Sequence, residues 1–575
     1  MRRDLSGIAA SRGAALGRAR VRLPHALEVE QAYIDESEVE AELARVHRAI
    51  DQVRDEMHQL RERLHGALAH EVGEFLDLHA LLLDDPELLQ GLDRYIRLKR
   101  YTADYALRRQ RDRIANVFLG MDDAYLRSRI DDIDQVIGRI HAALHQREAE
   151  LQGVAGDILI TDTIAPAEVA QLQAQGVLAV VTTSGSALSH GAILARSLHL
   201  PLIVGATHAL QWLNDGDVIV VDGGTGTVIS EPDAADLKAH QQRVKAYKRE
   251  HKQLNRLRRE PTRTLDGVDI KLWANAESRE DVAEAHALGA AGVGLYRTEF
   301  LFLGTHVLPD EETQFLAYRE LILGLTGRTA TIRTLDLGAD KADDTGLAMR
   351  NEDNPALGLR GIRLSMSRRE IFRTQLRAIL RASGYGPLRV LLPMISGREE
   401  IRAARALMDE VATELREEGK AIASDIPLGA MIEVPSAAIA LTTFIREVDF
   451  LSVGTNDLVQ YLLAADRNNE FLGDLYTPLH PALLRLLHDI LRTGDRHGKP
   501  VAICGEMAGD PRFTPLLLAL GLEEFSLHPG TLLEVRRAIR AIDLTELRAQ
   551  ARSLLRAGDR HGIERWMQAN APVAP

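Results

Sequence analysis

The chain has a single cysteine, Cys504, among 575 residues. One thiol excludes a framework of intramolecular disulfides and is typical of a protein from a reducing compartment. An excess of positive charge is also lacking: the formal net charge is -13 and the pI is near 5.9. This balance excludes a general nucleic-acid binder, which needs a basic surface. No hydrophobic run is long enough to cross a bilayer, and no apolar stretch follows the starting Met1-Arg2-Arg3. We therefore expect a cytoplasmic protein with no nucleic-acid or membrane partner.

What the chain does have is enough length and apolar content, 45% hydrophobic residues, for several domains with sizeable cores. The first thirty residues predict one or two short strands. From about Ser37 the apolar residues recur at steps of three and four, which is typical of a helix with one buried face. Further helical segments are predicted over Phe75–Leu83, Pro86–Lys99, Thr102–Leu119 and Asp123–Leu151. Breaks at Gly66, Pro86 and Gly120 favour a bundle of antiparallel helices over one long coiled coil.

Short apolar runs typical of buried strands follow the bundle, at Asp157–Ile160, Val177–Val181, Leu202–Val204 and Val218–Val221. They predict a small α/β domain, in which the glycine-rich segment Asp222–Gly226 is a hairpin turn rather than a nucleotide cradle. Residues 233–260 are polar on every side, which favours an exposed helix that joins two bodies.

Within this α/β domain, the small-residue loop Ser184–Ser189 ends at His190 and leads into a helix. With Ser189 as the N-cap, His190 lies in the first turn, where free N–H groups and the helix dipole favour an anion. An imidazole is largely neutral near pH 7 and can act as a nucleophile that carries a phosphoryl group. The alternative is a histidine that only forms hydrogen bonds with its loop.

Beyond Pro261 the sequence alternates between strands and helices. Eight strands are predicted, at Asp269–Ala276, Gly292–Tyr296, Ala330–Leu335, Leu359–Leu364, Arg389–Met394, Leu428–Ile432, Phe450–Val453 and Pro500–Ile503. Eight parallel strands predict a closed (β/α)8 barrel. Glu524–Leu527 is a possible ninth strand, and an open doubly wound sheet is the alternative.

Polar residues stand just after many of these strands, where a parallel barrel forms the mouth that binds ligands. They are Arg297, Arg333, Arg360, Glu433, Asn456, Asp457 and Cys504. Arginines bind phosphate or carboxylate groups, and carboxylates bind a divalent ion that also holds a substrate phosphate. The set therefore indicates a phosphorylated acid bound with magnesium. Each residue also has a structural alternative: Arg297 could pair with Glu299, Glu433 could cap a helix, and Asn456 with Asp457 could begin one.

Four long segments carry a family resemblance: Gly292–Phe300, Arg333–Lys341, Ser452–Leu458 and Cys504–Asp510. They closely resemble signatures of the phosphoenolpyruvate-utilising enzymes. Nearly the whole chain follows the order seen in Enzyme I of the bacterial phosphotransferase system. The resemblance implies a multidomain α/β protein, with a phosphohistidine domain at 1–30 and 152–231, an inserted helical bundle at 31–151, a linker helix at 232–261, a TIM barrel at 262–547 and a C-terminal helix and tail at 548–575.

The resemblance also implies an activity. His190 would take the phosphoryl group of phosphoenolpyruvate (PEP) on its Nε2 atom and pass it to a histidine of the carrier HPr, releasing pyruvate, as the first step of sugar transport. The helical bundle would bind HPr, the barrel would form a homodimer, and the linker helix would let His190 travel between its two partners.

In the barrel, the resemblance implies that Cys504 protonates the enol carbon, and that Glu433 and Asp457 bind Mg²⁺. A thiol suits the proton transfer, since a pKa of about 8.5 keeps it protonated near pH 7. The implied PEP-binding residues are Arg297, Arg333, Arg360, Asn456, Asp457 and Arg467.

The chain departs from the family pattern before the histidine, where Ser186 replaces a glycine and Leu188 replaces a threonine. The loss of a hydroxyl group beside His190 puts the orientation of the imidazole in doubt. Two other functions stay open: a dikinase-like or synthase-like enzyme, which would need a nucleotide-binding domain, and a regulatory phosphorelay enzyme with the same chemistry.

Overall fold

A computed structural model describes residues 2–22, 31–63, 82–83, 85–119, 130–145, 155–164, 166–185, 190–198, 200–302, 308–338, 352, 354–467, 472 and 475–571. The chain forms two compact units, Met1–Glu250 and His251–Pro575. Within these ranges no helix is both long enough and apolar enough to span a membrane.

The first unit begins with three strands and continues with helices. The strands are β1 (Arg3–Ser6), β2 (Ile8–Ser11) and β3 (Ala14–Val21), and the helices are α1 (Val39–Arg63), α2 (Pro86–Lys99), α3 (Ala103–Leu119) and α4 (Ile130–Leu144). The four helices confirm the predicted helical region, while most of the segment predicted at 75–83 lies outside the described residues. Helix α2 has the predicted bounds because Pro86 is its first residue and the Asp85 carboxylate accepts a hydrogen bond from the Glu87 N–H (2.8 Å).

The rest of the unit is an α/β sheet. Its elements are β4 (Asp157–Thr161), α5 (Pro166–Ala174), β5 (Ala179–Thr182), α6 (His190–Ser197), β6 (Leu202–Val204), α7 (Ala209–Trp212), β7 (Val218–Asp222) and β8 (Thr227–Ser230). The strand order is β1-β8-β7-β3-β4-β5-β6-β2, with β3 to β6 parallel. Strands β7 and β8 pair antiparallel, which confirms the hairpin turn at Asp222–Gly226. The predicted exposed helix is α8 (Ala234–Arg256).

The second unit contains the predicted barrel. Its eight parallel strands are β9 (Lys271–Ala276), β10 (Gly292–Tyr296), β11 (Thr329–Arg333), β12 (Leu388–Leu392), β13 (Leu428–Ile432), β14 (Phe450–Val453), β15 (Val501–Ile503) and β16 (Glu524–Leu527). They close in sequence order, since β16 pairs with β9. The closed barrel excludes the open doubly wound sheet.

Helices surround this barrel and bury a continuous apolar core against it. They are α9 (Arg279–Ala287), α10 (Glu311–Gly324), α11 (Ile362–Ser367), α12 (Arg369–Ala382), α13 (Arg398–Glu417), α14 (Pro435–Ile439), α15 (Thr455–Leu463), α16 (Pro481–Arg496), α17 (Glu506–Gly509), α18 (Thr514–Leu520), α19 (Leu532–Arg540), α20 (Leu544–Ala549), α21 (Ala551–Arg556) and α22 (Arg560–Ala569).

One predicted strand is wrong. The segment Leu359–Leu364 is not a strand: Gly361 has a φ of 59°, and helix α11 begins at Ile362. Ile362 and Leu364 are buried, but on a helix, and a short apolar run cannot separate a buried helix from a buried strand. The segment Glu524–Leu527, predicted as a possible ninth strand, is β16 and forms the eighth strand of the barrel. Its buried Glu524 accepts hydrogen bonds from Lys271 Nζ (2.8 Å) and Trp273 Nε1 (3.0 Å) on β9.

Candidate active site

His190 is the first residue of α6, in the position predicted from the sequence. The residues before it, 186–189, lie outside the described part of the chain, as do the N-cap predicted at Ser189 and the departures at Ser186 and Leu188. The next residue, Gly191, lies against the loop after β4, where a Cβ atom would be 3.1 Å from the Ile164 carbonyl oxygen. The start of α6 is therefore held close to the carboxyl end of β4.

The loop that leads to His190 is tied to Asp162 at the end of β4. The hydroxyl groups of Thr183 and Ser184 both donate to Asp162 Oδ1, the second at 3.0 Å. The Ser184 N–H also donates to the Asp162 carbonyl oxygen (3.1 Å). These bonds fix the carboxyl ends of β4 and β5 together, which places the beginning of α6 at this edge of the sheet.

A network of buried charges occupies the carboxyl ends of the barrel strands. Asp336 is its centre: the two carboxylate oxygens accept hydrogen bonds from Arg360 Nε (3.3 Å) and Nη2 (3.1 Å), and Oδ2 also lies 3.1 Å from Arg333 Nη1. Glu299 completes the pairing of Arg333 at 3.1 Å. Burial raises the pKa of Asp336, but the two guanidinium groups outweigh it and hold the pKa below its usual range. Two forked cation groups are thereby positioned at the barrel mouth.

Glu433 follows β13 and is 1% exposed. Its Oε1 atom accepts a hydrogen bond from the Met394 N–H (2.6 Å). Met394 is a buried non-glycine residue with a φ of 57°, and such left-handed backbone is typical of functional sites. Burial, with the charges of Asp336 and Asp457, raises the pKa of Glu433 to about 8. Three carboxyl groups that repel one another in a buried site have the donor chemistry of a divalent-cation site.

Asp457 and Asn456 lie in the first turn of α15, directly after β14. Asp457 Oδ1 is 3.3 Å from Arg360 Nη1, so this carboxylate joins the buried network. Asn456 binds the next loop: its Oδ1 accepts from the Glu506 N–H (3.0 Å) and its Nδ2 donates to Glu506 Oε1 (3.2 Å). The Tyr476 hydroxyl donates to the Asn456 carbonyl oxygen (3.1 Å).

Cys504 follows β15 and is 5% exposed, in contact with the apolar cluster inside the barrel. Its Sγ lies 3.5 Å from the Val453 carbonyl oxygen, and the Asn275 side chain donates to the Cys504 carbonyl oxygen (3.1 Å). Burial raises the pKa of the thiol to about 11, and the negative charge of Glu433 adds to this. The group is therefore a protonated thiol near pH 7.

The two remaining sequence-predicted residues are exposed. Arg297 pairs with Glu277 at the end of β9, rather than with Glu299, and its side chain is 45% exposed. Arg467 is exposed as well, and its backbone N–H donates to the Gln460 side chain (3.2 Å) on α15. Burial raises the pKa of Tyr476 to about 12, and the positive charge of Arg467 opposes part of this increase. The structure thus joins Arg333, Arg360 and Asp457 through ion pairs that centre on Asp336. Glu433 lies near enough for the charges of this network to act on it, and Arg297 and Arg467 lie outside its hydrogen bonds.

The sequence predicts no functional role for Asp336 or Met394, and it suggests Glu299 only as a possible partner of Arg297. Asp336 stands three residues after Arg333 at the end of a strand, and that spacing is a signal for an ion pair that could have been used. Met394 offered no such signal, because its role rests on a backbone conformation that the sequence does not reveal.

Known proteins resemble this chain along its whole length. Three regions match the PEP-utilising enzymes: residues 6–129 the N-terminal part, 153–226 the mobile domain, and 251–544 the PEP-binding domain. A phosphoenolpyruvate-protein phosphotransferase of Cupriavidus necator is 44% identical over 548 residues, which is 93% of this chain and 94% of the relative. Another from Geobacillus stearothermophilus is 38% identical over 575 residues, or 100% and 99%. A solution structure of Enzyme I (nEIt) is 30% identical over 42% of this chain and 99% of its own, with a TM-score of 0.36. The chain therefore belongs to the PEP-utilising enzymes, in the family of the phosphoenolpyruvate-protein phosphotransferases.

Proposed function

We propose that this protein transfers the phosphoryl group of PEP to His190 and then to a histidine of a small HPr-type carrier protein, releasing pyruvate. The observation that supports this most is the buried network of Arg333, Asp336 and Arg360 beside Glu433 and Asp457, in a chain whose relatives share its whole length and carry that activity in their name. Phosphoryl transfer needs mainly positioning and neutralisation of charge, and this network supplies both.

PEP would bind through its phosphate and carboxylate groups. The forked guanidinium groups of Arg333 and Arg360 suit these oxygens, and their carboxylate partners hold them in place before the substrate arrives. Arg297 is 45% exposed and can exchange its partner Glu277 for the substrate. The amide of Asn456 and the exposed Arg467 would supply further contacts at the same end of the barrel.

Glu433 and Asp457 would hold a magnesium ion. The fit rests on the donor set, because these two carboxylates are both buried and offer the oxygen ligands that the ion prefers. A divalent cation would also offset the repulsion among the carboxyl groups that contributes to the raised pKa of Glu433. When bound, the ion would neutralise charge on the transferred group.

In the transfer step the lone pair of His190 Nε2 attacks phosphorus, and the bond from phosphorus to the enol oxygen breaks. The enolate then takes a proton at its methylene carbon from the Cys504 thiol, which gives pyruvate, and the thiolate regains a proton from water. A thiol with a pKa of about 11 is always protonated at the start of this step and donates only to a strongly basic carbon such as that of an enolate.

Phosphorylated His190 would be stabilised by its position at the start of α6, where the positive end of the helix dipole favours an anion. The helices α1 to α4 would form the docking surface for the carrier. His190 and the barrel residues belong to different units, so the proposed transfer requires the imidazole to reach the bound PEP in each turnover. We also retain, as part of the proposal, a homodimer through the barrel and a cytoplasmic location.

Labelling with ³²P tests the function. With Mg²⁺ and radiolabelled PEP, wild type should acquire label that an HPr-type carrier then removes, and His190→Ala should acquire none. His208→Ala is the matched control, because His208 is an exposed histidine of the same unit that stacks on Trp212. Label that persists in His190→Ala, or that never appears in wild type, would contradict the proposal. Label from ATP instead of PEP would favour the dikinase-like alternative.

A further inference from the structure

Three potential metal ligands converge between two helices of the first unit. Asp104 lies in the first turn of α3, and His141 and His145 are one turn apart at the end of α4. Asp104 Oδ1 is 2.8 Å from His145 Nε2 and 3.4 Å from His141 Nε2, and all three ligand atoms lie within 4.8 Å of one another. Among the described residues, this is the one group of three or more such side chains with that geometry.

The spacing of these atoms suits a small tetrahedral metal ion. Bonds of about 2.0–2.1 Å from zinc to imidazole nitrogen or carboxylate oxygen place neighbouring ligands roughly 3.3–3.4 Å apart. The distance from Asp104 to His141 already has this value, and the shorter distance to His145 needs a shift of roughly half an ångström. Two histidines at i and i+4 present their rings on the same helix face, and here the ring centroids are 4.7 Å apart.

The charges around the cluster also permit a cation. Arg45 on α1 approaches Asp104 Oδ2 to 3.7 Å, but Glu42 pairs with the same guanidinium at 3.2 Å. With both imidazoles neutral, these groups carry one net negative charge. Arg45 Nη2 also donates to the Leu144 carbonyl oxygen (3.2 Å), which ties this guanidinium to the end of α4.

We propose that Asp104, His141 and His145 form a transition-metal site of the Zn²⁺ class, with water as a fourth ligand. Imidazole nitrogens select zinc and cobalt over magnesium, so this site differs in its chemistry from the carboxylates of the barrel. A metal ion here joins the beginning of α3 to the end of α4, and it thereby stabilises the helical region. The site needs no PEP, so its test is independent of the phosphotransfer proposal.

Cobalt titration of the full-length protein tests the site. The chain is titrated with Co²⁺ in an excess of Mg²⁺, which occupies oxygen-ligand sites, and the visible d–d absorption is recorded before Zn²⁺ is added. Wild type should bind one equivalent of Co²⁺ with a tetrahedral spectrum that one equivalent of Zn²⁺ abolishes. His145→Ala, His141→Ala and Asp104→Asn should each lose this equivalent while keeping the far-UV circular dichroism of wild type.

His47→Ala is the matched control. His47 lies in the same helical region and pairs with Asp93 at 3.0 Å, but the pair does not belong to a three-ligand cluster of the described chain. This variant should bind cobalt as wild type does. Thermal unfolding gives a second readout: Zn²⁺ should raise the melting temperature of wild type and of His47→Ala, but not of His145→Ala. An unchanged cobalt spectrum in all three ligand variants, or no tetrahedral cobalt in wild type, would overturn the proposal and leave a histidine–aspartate hydrogen-bond cluster.

Discussion

Gly454 and Glu433 are so close that a Cβ atom at position 454 would lie 2.6 Å from Glu433 Oε2. The backbone of Gly454 has a φ of −84°, which any residue adopts, so the carboxylate rather than the chain conformation requires glycine here. Glu433 is buried and bound to the Met394 N–H, so it cannot move freely. We predict that Gly454→Ala displaces the carboxylate and slows the initial rate of labelling by PEP at least about tenfold, or about 1.4 kcal/mol.

Gly558→Ala is the control for this substitution, because a Cβ atom there would meet nothing within 4 Å. Both variants should keep the circular dichroism of wild type. Equal labelling rates in the two variants would show that the contact with Gly454 does not position Glu433.

The raised pKa of Glu433 gives a pH dependence of stability. The unfolded carboxyl group loses its proton near pH 4.5, whereas burial and neighbouring charges keep the folded group protonated up to about pH 8. Between these values the native state binds more protons, so the free energy of unfolding decreases as the pH rises and levels off above about pH 8. Glu433→Gln, which is always neutral, should therefore be more stable than wild type at about pH 9 in a chelating buffer, and nearly equal at about pH 4, as measured by urea unfolding.

Glu447→Gln should change stability in the opposite direction. Hydrogen bonds from Arg402 and Arg398 lower the pKa of this half-buried carboxyl group, so its stabilising contribution is present near neutral pH. A Glu433→Gln variant that is less stable than wild type at high pH would contradict the assigned environment of Glu433.

The rate of Cys504 alkylation can be measured directly, since the chain has no other thiol. Alkylation requires the thiolate, and burial raises the pKa of Cys504 to about 11. We predict that iodoacetamide reacts slowly with the native protein near pH 7 and quantitatively with the urea-unfolded chain, as followed by intact mass. Equally fast alkylation of both states would show an exposed or activated thiol and would contradict a buried proton donor.

The sequence predicts much of the barrel, because most of its strands are apolar runs bounded by turn residues. Gly292–Tyr296, Leu428–Ile432 and Phe450–Val453 have the predicted bounds. The prediction failed at Leu359–Leu364, where Ile362 and Leu364 are buried on a helix instead of a strand. Local apolarity reveals that a segment is buried, but it does not reveal the type of element in a run this short.

The position of polar residues after strands also predicted the network at the barrel mouth. Their partners could not be predicted in the same way. Glu299 is close in sequence to Arg297 yet pairs with Arg333, while Arg297 pairs with Glu277, which directly follows the neighbouring strand β9. Partner choice depends on strand register and on the direction of each side chain, neither of which a single sequence contains.

Asp336 is the residue on which this network depends most, because Arg333 and Arg360 both form ion pairs with its 2%-exposed side chain. Asp336→Asn removes the charge that compensates two buried guanidinium groups, so we predict a loss of about 3 kcal/mol in the free energy of barrel unfolding near pH 7. The lowered pKa of Asp336 means that this contribution exists above the usual carboxyl pKa of 3.8 and disappears on further acidification, so wild type and variant should converge in acid. Asp510→Asn breaks a pair of similar chemistry on the surface, where Arg512 is 76% exposed, and should cost less than about 1 kcal/mol. Equal losses in the two variants under urea would show that burial adds nothing to the pairing at Asp336.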